Sequence, residues 1–128
     1  LKSYEVVEAM QAKNLPGVKF RAGCFTPTFS KHQGELCYAV QPHVTDRRAF
    51  RSFETGLYLL EVIRDLHPDH FEYRFVERPQ DGRRYFLDSL MGTDQFRTGA
   101  LSCQGILEAN RAGLEAYQKA IKPYLLYE

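Results

Sequence analysis

The segment CFTPTFSKHQGELCYAVQPHVTDR, residues 24–47, gathers groups suited to holding an oxygen-rich ligand. Its first half carries the hydroxyls of Thr26, Thr28 and Ser30 beside the ammonium of Lys31 and the imidazole of His32. Loop hydroxyls often serve the backbone, closing turns and capping helices. Turn chemistry has no use for a lysine followed by a histidine, and those two tilt the reading toward a sugar or carboxylate ligand. Lys31 can meet a carboxylate with a charge-assisted bond. His32, like His43 further on, can donate, accept or orient near neutral pH.

The second half alternates. Leu36, Tyr38, Val40, Pro42 and Val44 fall on one side of a strand, and Cys37, Ala39, Gln41, His43 and Thr45 on the other. Small residues followed by polar ones suit the floor of a groove, with room for a ligand and then groups to orient it. An ordinary exposed sheet face carries long charged side chains, and none comes before Asp46, Arg47 and Arg48.

Other chemistries fit less well. His32 with Glu35 and His43 with Asp46 have the spacing of paired metal ligands on a helix. Both pairs fall in loop or strand, where that spacing is expected to send side chains apart, so no metal and no cofactor is expected. Glu35 and Asp46 fail as a glycosidase carboxylate pair: such groups stand about 5 to 9 Å apart, whereas this separation along an extended chain spans roughly 35 Å. There is no G-x-S-x-G elbow and no glycine-rich phosphate loop. The chemistry is that of binding, without a catalytic set.

These residues need elements to position them. Residues 3–13 put Val6, Val7 and Met10 on one helical face with Ser3 as N-cap, and Pro16 and Gly17 end that helix. VKFRAGCFT reads as a strand with Val18, Phe20, Ala22 and Cys24 on one side and Lys19 and Arg21 on the other. The nine-residue connection PTFSKHQGE exceeds a tight hairpin turn, and such loops are often functional. Pro42, with no N–H, places the second strand at an edge.

Phe53, Leu57, Leu60 and Ile63 predict a second helix that Asp46 could cap. HFEYRFV reads as a third strand, RPQDGRR as a turn, and residues 85–100 as two short helices broken at Gly92, with Thr93 or Asp94 as cap. A final helix puts Ile106, Asn110, Leu114, Tyr117 and Ile121 on one face. The expectation is an α+β fold: a small antiparallel sheet of three or more strands covered by helices, one domain over residues 1–128.

Seventeen basic and sixteen acidic residues give a formal charge of +1 over 128 residues. No overall field draws in nucleic acid, and no run reaches the roughly 20 apolar residues of a membrane span. Cys24 and Cys37 could face one another across a hairpin, but three buried thiols, with Cys103, is the preferred reading. The start at Leu1 without methionine suggests a fragment of a longer protein.

The run LPGVKFRAGCFTPTFSKHQGELCYAVQPHVTDRRAFRSFETGLYLL and the closing KPYLLYE resemble the C-terminal domain of the bacterial exo-β-N-acetylmuramidases, long known as a domain of unknown function. FTPTFSKHQGELC, HVTDR, the GTD at 92–94 and the tyrosine near the end carry it. The resemblance implies an auxiliary domain behind a Rossmann-like N-terminal domain that holds the catalytic glutamate and is absent from this chain. It implies a secreted or periplasmic glycosidase that removes N-acetylmuramic acid from the non-reducing end of peptidoglycan fragments, in a cleft the two domains share.

Matched to the family's motifs, the substrate-binding candidates are Thr26, Thr28, Ser30, Lys31, His32, Glu35, Gln41, His43, Asp46, Arg47 and Asp94, with no catalytic residue in this chain. Pro42 replaces a more usual aliphatic residue and Tyr38-Ala39 a pair where small glycines are common, departures expected either to narrow the groove or to alter the sheet edge near Gln41 and His43. The rival expectation is a module whose polar hairpin only docks the partner domain.

Overall fold

The computed structural model describes residues 1–80 and 82–127. The fold is α+β and divides into two compact units, Leu1–Phe71 and Glu72–Glu128. Each has its own two-stranded antiparallel sheet.

The first unit runs α1 (Ser3–Ala12), β1 (Val18–Phe25), β2 (Cys37–Val44) and α2 (Ser52–Leu66). Val6 and Met10 lie one turn apart on α1 and are fully buried with Val18 and Phe20 of β1 and Val62 of α2. Each such side chain contributes about 1.5–3 kcal/mol through burial. Ser3, expected as a cap, is instead buried in the first turn. Lys2 holds the cap position, and its backbone N–H donates to His67 Nε2 at 3.0 Å. The Ile63 carbonyl, 2.9 Å from Nδ1, can only accept. Nδ1 therefore carries the ring hydrogen, and the imidazole ties the start of α1 to the end of α2.

Helix α2 keeps part of the expected face, with Leu57 buried and Ile63 packed against the core. Tyr58, Leu59, Val62, Ile63 and Leu66 pack on the core, while Phe53 is half exposed. The sequence YLLEVI is apolar round most of the helix, so the inward face is wider than periodicity alone selected.

In the β1–β2 ladder Val18 faces Val44, Phe20 faces Pro42 and Cys24 faces Tyr38. The sheet has two strands, so no further strand needs the N–H that Pro42 lacks. Phe25 faces Cys37, which puts Cys24 and Cys37 on opposite sides of the ladder. Cys24 and Cys37 are not bridged; Cys103 is buried as expected, whereas Cys24 is exposed.

The second unit holds β3 (Phe75–Arg78), β4 (Gly82–Tyr85), α3 (Phe86–Met91), α4 (Cys103–Ile121) and a 3-10 turn over Lys122–Tyr124. The expected third strand begins later than HFEYRFV, and Arg83 and Arg84, expected in a turn, lie in β4. Asp81 of that turn lies outside the described residues. Gly92 ends α3, its amide bonded to the Asp88 carbonyl at 2.8 Å. The second short helix is replaced by turns, with Thr98 N–H on the Asp94 carbonyl at 2.9 Å.

Ser102 caps α4, accepting from the Gly105 amide at 3.1 Å. Cys103 and Ile106 are buried, but Leu114 and Tyr117 on the predicted inner face are exposed. Among the described residues no helix is long and apolar enough to cross a membrane.

Candidate functional site at the tip of the first hairpin

The connection between β1 and β2 is shaped by its own backbone. Gly34 N–H reaches the Pro27 carbonyl at 2.9 Å, and Glu35 N–H reaches the His32 carbonyl at 3.0 Å. Ser30, His32 and Gly34 have positive φ values of 68°, 59° and 79°. A left-handed serine is uncommon and costs about 1 kcal/mol or more. The loop is therefore coiled tightly, with strained backbone at Ser30 and His32.

The turn brings His32 and Glu35 together, Nδ1 to Oε2 at 3.1 Å. Their spacing in a loop was expected to part them. The closed turn at residues 32–35 reverses that by curling the chain back, so the carboxylate orients the imidazole.

Thr26, Thr28, Ser30 and Lys31 are exposed. None of the three hydroxyls, nor the Lys31 ammonium, has a hydrogen-bond or ion-pair partner among the described residues. The structural use of loop hydroxyls, closing turns, is thus not their use here. Four polar groups stand presented to whatever meets this tip. Around them Phe25, Phe29, Leu36 and Tyr38 are 56%, 77%, 59% and 54% exposed. Sequence reading missed this apolar share; an aromatic between two polar loop residues, as in TFS, was the available signal.

The candidates further along the hairpin separate from the tip. Gln41 Oε1 accepts from Arg21 across the ladder at 2.8 Å. His43 faces Lys19 on the same side of the sheet and is exposed. That side also holds Gly23 opposite Ala39, the small floor that alternation predicted. From Cys37 to Val44 an extended strand covers about 24 Å, so His43 and the loop occupy opposite ends of one hairpin, not one pocket.

Asp46 has a structural task. It does not cap α2, which starts at Ser52, but its Oδ1 accepts from the amides of Arg48 and Ala49 at 2.9 and 3.3 Å. Asp46→Ala is expected to cost about 1 kcal/mol, read as a lower melting temperature, with Asp46→Asn recovering most of it. Arg47 is exposed and makes no ion pair with Asp46 among the described residues.

Asp94 belongs to the second unit. It lies 3.8 Å from Arg97, whose guanidinium is gripped by both oxygens of Asp88 at 2.9 Å and stacks over Tyr85 at 3.9 Å. The arginine pKa is raised above its ordinary value, first by the Asp88 hydrogen bond, against partial desolvation, with added attraction from Asp88, Tyr85 and Asp94. A raised cationic pKa contributes stability below the unfolded value and loses it only above the folded one. Arg97 therefore stays cationic throughout the usual pH range.

A family model described as the C-terminal part of the exo-β-N-acetylmuramidase NamZ matches residues 1–127. The chain belongs to the NamZ C-terminal family. It is 40% identical over 130 residues to the peptidoglycan β-N-acetylmuramidase NamZ of Bacillus subtilis strain 168, covering 99% of this chain and 30% of that protein. The chain thus spans less than a third of that NamZ relative. In fold it is similar to the crystal structure of a DUF1343 family protein from Bacteroides fragilis NCTC 9343, with a TM-score of 0.72, 20% identity, and coverage of 100% of this chain and 33% of that one. At that identity the likeness speaks for the fold alone.

Proposed function

We propose that the protein to which this chain belongs is an exo-acting β-N-acetylmuramidase that removes terminal N-acetylmuramic acid from peptidoglycan fragments. The chain, as its C-terminal domain, supplies one wall of the sugar cleft from the β1–β2 loop and leaves catalysis to the preceding domain. The observation that carries this is the set of unpartnered Thr26, Thr28, Ser30 and Lys31 groups on a tightly held loop, in a chain 40% identical to a named peptidoglycan β-N-acetylmuramidase.

N-acetylmuramic acid carries hydroxyls, an acetamide and a lactyl carboxylate. Lys31 suits the carboxylate, and threonine and serine hydroxyls suit the sugar oxygens. Gln41, His43, Asp46, Arg47 and Asp94 move to the margin of the proposal, being remote from the tip or engaged elsewhere.

A second reading has its own support. The exposed Phe25, Phe29, Leu36 and Tyr38 suit burial against another protein surface, so the tip also docks the partner domain. The two uses are compatible, because a cleft wall must be held in place.

The test is release of N-acetylmuramic acid from a peptidoglycan-derived disaccharide. The full-length protein is expected to release it and the 128-residue chain alone to release none. Activity in this chain by itself would overturn the division of labour.

A further inference from the structure

The β3–β4 hairpin sorts its charges by face. Phe75 opposes Tyr85 and Glu77 opposes Arg83, so these four share one side. There the two rings lie 5.5 Å apart, and Arg83 sits 4.5 Å over Phe75 while reaching Glu77 at 3.4 Å. That arginine is balanced.

The other side is not. Val76 opposes Arg84 and Arg78 opposes Gly82. Neither Arg78 nor Arg84 has a carboxylate partner among the described residues. With Val76, Tyr85, Phe86 and Ser89 they line a cavity of about 220 Å³. Arg74 adds a third positive charge nearby, 4.8 Å over the Phe86 ring.

Arg84 is set in position. Its Nε donates to Ser89 Oγ at 3.1 Å, and that hydroxyl donates to the Tyr85 carbonyl at 3.3 Å. One edge of the guanidinium is thereby used, and the terminal amino groups remain for a two-oxygen acceptor. A planar fork held this way loses little freedom on meeting a carboxylate, and Arg78 reinforces its charge. Half-exposed Val76 and Phe86 form an apolar rim for the body that carries the acid.

We propose that this cleft is a second ligand site, binding a carboxylate borne on a sugar or peptide body through Arg84 and Arg78, with Ser89 as a positioning residue. It rests on the muramidase reading only for the source of the ligand, the acid groups of a muramyl peptide.

The test is an NMR titration of the 128-residue chain with N-acetylmuramoyl dipeptide, and with N-acetylglucosamine as the sugar lacking an acid. The dipeptide is expected to shift the Arg84 and Ser89 signals with millimolar affinity, weakened by added salt, and N-acetylglucosamine to leave them unmoved. Arg84→Gln should weaken binding about tenfold, Arg84→Lys by several-fold because the fork is lost, and Ser89→Ala by a few-fold with the spectrum otherwise intact.

Equal responses to both sugars, unchanged affinity in Arg84→Gln, or full retention in Arg84→Lys would each overturn the site. Shifts confined to residues 26–35 would do the same while supporting the loop proposal. Shifts at Arg84 and Ser89 without any at the loop uphold this site and count against the other.

Discussion

Gly17→Ala is expected to destabilise the protein by about 3 kcal/mol, a fall in melting temperature of about 10 °C. Gly17 has φ of +69°, and a Cβ there would stand 2.4 Å from the Asp46 carbonyl oxygen and 2.8 Å from the Phe50 amide nitrogen. Both neighbours are backbone, so neither can swing away. The close approach is used: the Gly17 carbonyl accepts from the Thr45 and Asp46 amides at 2.8 and 3.3 Å. It pins the exit of β2 to the entrance of β1 and so closes the open end of the hairpin.

Two controls separate the causes. At Gly34, φ is +79° but no atom lies within 4 Å of an added Cβ. Gly34→Ala should therefore show only the left-handed cost of about 1–2 kcal/mol. Gly23 has open space and no left-handed φ, so Gly23→Ala should leave the melting temperature unchanged. A Gly17→Ala variant as stable as Gly23→Ala would mean that this junction does not hold the hairpin.

The first unit was legible because its pattern is repeated at several levels. Alternation through VKFRAGC and LCYAVQPHVT predicted which residues share a side, and the register obeys it. Val6 and Met10 at one-turn spacing predicted the buried stripe of α1. The face of α2 was legible in part: Leu57 is buried and Ile63 packs on the core, but a helix apolar nearly all round also turns Tyr58, Leu59 and Val62 inward.

The second unit resisted for a different reason. HFEYRFV alternates as a strand should, yet only its end enters β3. A four-residue strand paired to one neighbour depends on its turn and partner more than on its own alternation. The exposed outer half of α4 carries a clear apolar pattern with no described cover. Periodicity states that a face is apolar without stating what covers it.

Within the site, the composition of the loop was readable and its shape was not. The hydroxyls, Lys31 and His32 stood out by type. That His32 and Glu35 would meet depended on positive φ at Ser30, His32 and Gly34, which only glycine announces in a sequence. Asp46 drew notice as a polar residue in a motif, but two backbone amides consume its carboxylate. Neither use can be told from the other without coordinates.

The second large effect is expected at the loop. A charge-assisted hydrogen bond contributes about 1.5–3 kcal/mol, so Lys31→Ala in the full-length protein should lower kcat/KM for N-acetylmuramic acid release about 10- to 100-fold. His32→Ala should lower it about tenfold, with Glu35→Gln milder because the imidazole loses only its orienting partner. Both side chains are exposed and neither is part of the core, so the melting temperature should move by no more than about 2 °C. Asp94→Ala, remote from the tip in sequence and tied to Arg97, should leave kcat/KM unchanged.

The measurement that bears most directly on the cleft-wall proposal is therefore kcat/KM and melting temperature taken together on Lys31→Ala in the full-length protein. A large loss of catalytic efficiency at constant melting temperature is the predicted result. Unaltered kinetics, or a loss that tracks a falling melting temperature, would instead make the loop a docking surface that never touches the sugar.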